Sequence, residues 1–127
     1  MKASAGLPRS ARLTRSADFA ALGRDAAALG ARHFVARYRP SPSGHPRMAQ
    51  SVSKRVHKRA VQRNRIKRQI RTAFRLRREH MPALDMLVIA RITAAAVDNR
   101  GLAADLATLL QRLAALKLQH APGTMLG

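Results

Sequence analysis

The stretch from Lys54 to Arg78 limits what this chain can fold into more than any other. It carries twelve of the protein's 25 Lys and Arg in 25 residues, and no acid. No Gly or Pro occurs between Lys54 and Met81, and Ala, Gln, Arg, Lys and Leu all favour helix. Ile66, Ile70, Ala73 and Phe74 recur at helical spacing and make one apolar stripe. The spacing predicts a helix that ends near His80, before Pro82. At about 100° per residue, Asn64, Lys67, Arg68, Arg71, Arg75 and Arg78 share an arc about 100° wide beside the stripe. Towards the N-terminus the stripe meets Arg63 and Arg59 instead of apolar side chains. The C-terminal half is therefore expected to pack on a core, and the N-terminal half to present Arg and Asn outward.

A solvated helix face mixes both signs, because opposite charges four residues apart support a helix and like charges strain it. Nothing in this stretch relieves the repulsion, so a polyanion is its natural counterpart. Arg also supplies a planar fork that fits phosphate and stacks on bases. The whole chain has a net charge of +19 over 127 residues. That balance points to nucleic acid or an anionic membrane surface. A membrane-surface helix wants Trp or Phe at its boundary; the chain has no Trp and three Phe. No run of about 20 apolar residues exists, and the N-terminus has no apolar segment of the secretory type. No membrane partner is expected. The absence of cysteine fits a cytoplasmic location.

The length suits one domain. Residues 1–10 read as a loose basic tail, 11–118 as the domain, and 119–127 as a loose C-terminal tail. Leu13 is expected in a short extended segment. Thr14 or Ser16 can cap a short helix to about Leu22, with Asp18 in its first turn. Gly23 and Gly30 bracket an Ala-rich linker that reads as helix or loop. Residues 32–39 alternate: Phe34, Ala36 and Tyr38 point one way, His33, Val35, Arg37 and Arg39 the other, as in a half-buried strand. The segment 40–46, rich in Pro and Gly, is a turn. Residues 47–53 alternate again, with Met48, Gln50 and Val52 opposite Ala49, Ser51 and Ser53. A hairpin between these two strands is the economical pairing, leaving Val35, Arg37, Ser51 and Ser53 on an open face. Met86 to Ala90 is an apolar run expected as a strand buried on both faces. A strand, a long helix and a buried strand suggest a βαβ unit. Thr93 to Ala96 reads as a linker. Asp98 or Asn99 can cap a last helix over about Arg100 to Leu118, packed through Leu102, Leu106, Leu109, Leu110, Leu113 and Leu116.

The six acids are Asp18, Asp25, Glu79, Asp85, Asp98 and Asp105, with no close pair. Asp18, Asp98 and Asp105 read as helix-start residues. A two-metal nuclease needs clustered carboxylates, and the chain has little to build one from. The five His are scattered along the chain, so a His-based nuclease rests on no visible motif. No phosphate loop, dinucleotide fingerprint or nucleophile motif occurs. No catalytic residue is assigned, and metal contacts stay open. The residues alone describe an α/β binder of RNA or DNA.

The pattern Ser51-Val52-Ser53-Lys54-Arg55, Ala60-Val61, Arg63-Asn64-Arg65-Ile66-Lys67-Arg68, Ile70-Arg71 and Phe74-Arg75 closely resembles the signature of the bacterial ribonuclease P protein component. Arg12-Leu13 with Phe19, and Asp85 with the strand after it, resemble the family's flanking segments. The resemblance covers roughly residues 9 to 118. It implies a single α+β domain, a small mixed sheet of three to four strands with three helices in the order α-β-β(-β)-α-β-α. The basic helix would lie in an unusual left-handed crossover, against the general rule. It implies the protein subunit of a ribonucleoprotein endonuclease that removes the 5′ leader from precursor tRNA. The RNA subunit would carry the hydrolysis, with Mg²⁺ required by the holoenzyme and no cofactor bound by the protein alone. Arg59, Arg63, Asn64, Arg65, Lys67, Arg68 and Arg71 would face the catalytic RNA. Phe19, Val35, Arg37, Ser51, Ser53, Lys54 and Arg55 would hold the leader, as cations and an aromatic suit single-stranded RNA. A monomer in a one-to-one ribonucleoprotein is expected.

Four positions depart from the family pattern. Ala49-Gln50 stands where the family has Gly and an apolar residue, and a core-facing Gln needs partners or an edge. Gly23 and Arg37 replace aromatics found in some relatives, so the leader groove here leans on charge. Phe19 reads equally as a stacking platform or a core residue, whereas Phe34 and Phe74 read as core. A structural, ribosomal-type RNA binder is the alternative, but it would need only charge, not the Arg-Asn-Arg spacing.

Overall fold

The computed structural model describes residues 8–13, 16–24 and 26–126, with side chains at 16, 24 and 117–126 left aside. Three helices, α1 (Ser16–Arg24), α2 (Ala60–Arg77) and α3 (Asn99–Leu126), pack on a sheet of four strands, β1 (Ala27–Gly30), β2 (Phe34–Pro40), β3 (Arg47–Ser51) and β4 (Leu84–Ala90). The strand order is β1-β2-β4-β3. β4 runs antiparallel to β2 and parallel to β3, so α2 is the crossover between parallel neighbours. This is the mixed α+β domain expected from the sequence.

The order corrects the expected hairpin. β2 and β3 do not pair; β4 lies between them. Burial explains this. Met86, Val88 and Ala90 of β4 are buried on one face, and Leu87 and Ile89 are half-buried on the other. A strand this apolar is best satisfied with a neighbour along each edge. β1 is a further departure: the Ala-rich linker is an edge strand, antiparallel to β2 from Ala27↔Tyr38 to Gly30↔Val35. Its sequence, Ala-Ala-Leu-Gly, has none of the β-branched or aromatic residues that mark strands.

One face of the sheet carries the main core. Phe34, Ala36, Met48, Met86, Val88 and Ala90 meet Ile66, Ile70, Ala73 and Phe74 of α2 and the Leu stripe of α3. The helical stripes predicted for α2 and α3 are the buried ones. The opposite face carries only a small cluster, Leu13, Leu22 and Ala49, with Ala26 and Leu87 beside it. α1 covers that part of the face and leaves the rest open.

Helix α2 starts at Ala60 and not at Lys54. Lys54, Arg55, Lys58 and Arg59 would put cations at the positive end of the helix dipole, where they destabilise a first turn. They sit instead in a turn pinned by buried Val56, whose N–H donates to Ser53 O at 3.0 Å. At the other end α2 gives way to a 3₁₀ turn, Arg78–His80. The segment expected as a linker after β4 is another, Ile92–Ala96. Asp98 caps α3, accepting from Gly101 N at 2.8 Å.

The tails differ in part from expectation. Arg9 to Ala11 form a 3₁₀ turn, and Arg12 bridges to Met48 on the β3 edge, with Leu13 N donating to Met48 O at 3.1 Å. Ordered structure thus begins inside the expected N-terminal tail, whose first seven residues lie outside the described ones. Thr14, one of the two candidate caps, also lies outside. Helix α3 runs on to Leu126, past the expected end at Leu118.

Candidate nucleic-acid interface

Helix α2 separates its cations by job. Ile66, Ile70, Ala73 and Phe74 turn inward, and Asn64, Arg68 and Arg71 are exposed beside them, with Lys67 half-buried. Among the described residues every ion pair belongs to Arg39 or Arg47. The exposed α2 cations, Arg68 and Arg71, therefore have no carboxylate beside them, which is the arrangement a polyanion would neutralise.

The two Arg of the Arg-Asn-Arg block are held internally. Arg63 Nη1 donates to His57 O at 2.9 Å and to Lys58 O at 2.8 Å, fastening the turn that precedes the helix. Arg65 Nε donates to Gln62 Oε1 at 3.2 Å, and its Nη1 to Val97 O at 3.2 Å and Asn99 Oδ1 at 2.8 Å. Arg65 thus ties α2 to the start of α3. Arg59 is exposed at the helix N-cap with no side-chain cap bond. Sequence reasoning placed all seven residues on one RNA surface. The structure brings Asn64, Lys67, Arg68 and Arg71 together as the open arc and gives Arg63 and Arg65 a bracing role.

Gln50 acquires the partners its position demands. It lies on the edge strand β3, and in the amide orientation that satisfies both groups its nitrogen donates to Lys67 O at 3.1 Å. Its oxygen then accepts from Arg71 Nη1 at 3.0 Å. The residue pins α2 to the sheet edge.

The second candidate surface is the open face of the sheet. Gly30, Val35, Ile89 and Ser51 lie in register across all four strands, and paired residues point to the same face. Val35, Ile89 and Ser51 are half-buried there. Ser53, Lys54 and Arg55 are exposed in the turn that follows β3, at one end of this row. Ile89 joins the surface without having been foreseen, because only the register puts it between Val35 and Ser51. Phe19 is 39% exposed on α1. It is not a core residue. It lines a cavity of about 210 Å³ with Arg12, Leu13, Met48, Ala49, Gln50 and Arg71.

Arg37, expected as a free cation of the groove, is otherwise engaged. Its Nε donates to Leu22 O at 2.6 Å and its Nη2 to Gly23 O at 3.2 Å, both at the end of α1. One residue row further along, Arg39, Asp85 and Arg47 stand side by side on β2, β4 and β3. Asp85 is fully buried and bonded to both. Asp18 reaches down from α1 to the same two Arg, at 3.3 and 3.5 Å. The hydrogen bonding it donates to Asp85, foremost, holds the Arg47 guanidinium above its ordinary pKa. The sequence showed no sign of this network, since its members are far apart in the chain.

Asp105 and three of the His have hydrogen-bond partners of their own. Asp105 was expected as a helix-start residue; it lies in mid-helix and accepts from Arg32 N at 3.0 Å and His33 N at 2.8 Å. His33 pairs with Thr93, His45 with Ser10 O and His57 with Arg59 N. Among the described residues no three His, Asp or Glu gather where they could hold a metal ion, and no helix is long and apolar enough to cross a membrane.

The family model for ribonuclease P matches residues 7–114. The chain belongs to the bacterial ribonuclease P protein family. It is 46% identical over 82 residues to the ribonuclease P protein component of Idiomarina loihiensis, covering 65% of this chain and 66% of that one. It is 38% identical over 105 residues to that of Salmonella newport, covering 83% and 88%. The fold matches the Staphylococcus aureus RNase P protein with a TM-score of 0.75 at 32% identity, over 80% of this chain and 93% of that one. It also matches the Thermotoga maritima RNase P protein, solved with 1-(4-fluorophenyl)-2-thiourea, with a TM-score of 0.72 at 27% identity, over 80% and 98%. The ribonuclease P match spans both candidate surfaces, from α1 through the sheet and α2 to most of α3.

Proposed function

We propose that this chain is the protein subunit of a ribonuclease P that trims the 5′ leader from precursor tRNA. One observation carries the reading: a family member presents Asn64, Arg68 and Arg71 on an acid-free helix, free of every ion pair among the described residues. This arc, with Lys67 and the N-cap Arg59, docks on the catalytic RNA. Arg63 and Arg65 set the helix that carries it. The row Val35, Ile89 and Ser51, with Ser53, Lys54, Arg55 and Phe19, receives the single-stranded leader. Cations there pair with phosphates and the ring stacks on a base.

Hydrolysis belongs to the RNA subunit, where Mg²⁺ would activate water and stabilise the leaving oxygen. The protein's residues bind and orient; none is assigned a proton-transfer role. One protein per RNA, in the cytoplasm, completes the proposal.

The test is 5′ cleavage of a precursor tRNA at low Mg²⁺, by the protein alone and with bacterial P RNA. Cleavage only with both present supports the subunit reading. Cleavage by the protein alone would reveal a nuclease. No stimulation of a competent RNA would favour a structural RNA binder.

A further inference from the structure

Helix α1 is short, and its apolar seat is small. Among its described side chains only Leu22 is fully buried, against Leu13 and Ala49. Polar contacts from the sheet hold both of its ends. At the start, Arg39 and Arg47 reach Asp18 Oδ1 at 3.3 and 3.5 Å. At the end, Arg37 spans Leu22 O and Gly23 O. The signs suit the helix: an acid in the first turn and a cation on the last carbonyls. The three Arg come from two adjacent residue rows on one face of the sheet. Asp85 beneath them bonds Arg39 and Arg47, so those two stand fixed before they meet α1.

We infer that α1 is clamped to the sheet at both ends by charge, and that Asp18 and Arg37 are positioning residues that set Phe19 for the leader. Phe19 follows Asp18 directly and lines a cavity that Gln50 of β3 and Arg71 of α2 also line. A shift of α1 therefore moves the aromatic wall against a fixed sheet edge. Arg37 acts through the two helix carbonyls it spans and not as a phosphate contact. The inference rests on the leader-binding reading, and it names what holds that site in shape.

Two measurements test it. The first uses the free protein and needs no RNA: amide hydrogen exchange across α1 in wild type and Asp18→Asn. Exchange at Phe19 to Gly23 should quicken by about tenfold, the factor that losing one charge-assisted hydrogen bond corresponds to, while exchange in α3 holds. Unchanged α1 exchange overturns the clamp whatever the leader does. The second uses the reconstituted holoenzyme and precursor tRNAs with long and one-nucleotide leaders. Asp18→Asn should raise KM for the long leader by about tenfold, with kcat and P RNA affinity unchanged, and Asp18→Glu should restore most of it. Arg37→Lys keeps the charge but cannot span both carbonyls, so it should lose leader preference as Arg37→Gln does. Wild-type behaviour of Arg37→Lys beside a defective Arg37→Gln would make Arg37 a phosphate contact and overturn its positioning role. If wild type itself ignores leader length, the leader-binding reading fails, and the exchange result alone decides the clamp.

Discussion

Arg47 grips Asp85 with two parallel bonds: Nε to Oδ1 at 2.8 Å and Nη2 to Oδ2 at 2.7 Å. The two residues face each other across β3 and β4, and the carboxylate has no access to solvent. A forked pair of this kind is the strongest form of side-chain hydrogen bonding. Removing Asp85 leaves two largely buried cations to share Asp18 alone.

Asp85→Ala should therefore destabilise the fold by about 3–5 kcal/mol, because it strands Arg47 and Arg39 together. Glu79→Ala, at an exposed acid outside any ion pair, should stay within about 0.5 kcal/mol of wild type. Urea unfolding of the three proteins checks the contrast. Equal effects would mean that Asp85 is not the hub of the network.

Arg65 and Arg68 lie in one block but should behave oppositely. Arg65→Ala removes the bonds to Val97 O and Asn99 and should cost about 1.5–3 kcal/mol of stability. Arg68→Ala should leave the melt unchanged. It should weaken binding to P RNA and lower the salt dependence of that binding by about one counterion. Titrations at several salt concentrations, paired with thermal melts, separate the two roles.

Phe19 and Phe34 make a second contrast. Phe34 is wholly buried in the main core, and Phe34→Ala should cost about 3–5 kcal/mol. Phe19→Ala should fold normally and raise KM for leader-bearing substrate, leaving leaderless tRNA binding unchanged. A strong loss of stability in Phe19→Ala would return that residue to the core.

Gln50→Leu should cost about 1 kcal/mol, since it removes both bonds that join β3 to α2. Arg71 is then released from the sheet edge. Denaturant melts give the stability, and P RNA affinity should change little, because the Arg71 charge remains.

Much of this molecule was legible in its sequence. The stripe from Ile66 to Phe74 and the Leu stripe of α3 could face only a core, and the alternation in β2 gave its buried side correctly. What failed was partnership. β1 was missed because Ala-Ala-Leu-Gly carries no strand preference and pairs with β2 alone. The hairpin between β2 and β3 failed because local economy ignores a third strand with two apolar faces. The site followed the same division. The exposed arc of α2 could be read from helical spacing. The internal bonds of Arg37, Arg63 and Arg65 could not, because, apart from Gln62 one turn before Arg65, each acceptor is a backbone carbonyl or a distant side chain placed by tertiary structure. The Asp18–Arg39–Arg47–Asp85 network needs the register of three strands, which no spacing in the chain reveals.

The central claim is that two surfaces do two jobs: the α2 arc binds the RNA subunit, and the open sheet row binds the leader. The most direct measurement compares holoenzyme affinity for precursor and mature tRNA in three proteins: wild type, Arg68→Ala/Arg71→Ala, and Ser51→Ala/Lys54→Ala. The account predicts that the sheet variant loses preference for precursor while still assembling with P RNA. The helix variant should assemble poorly in a salt-dependent way, yet keep that preference once assembled at low salt. Parallel losses of assembly and preference in both variants would contradict it, reducing the two surfaces to one undivided field of charge.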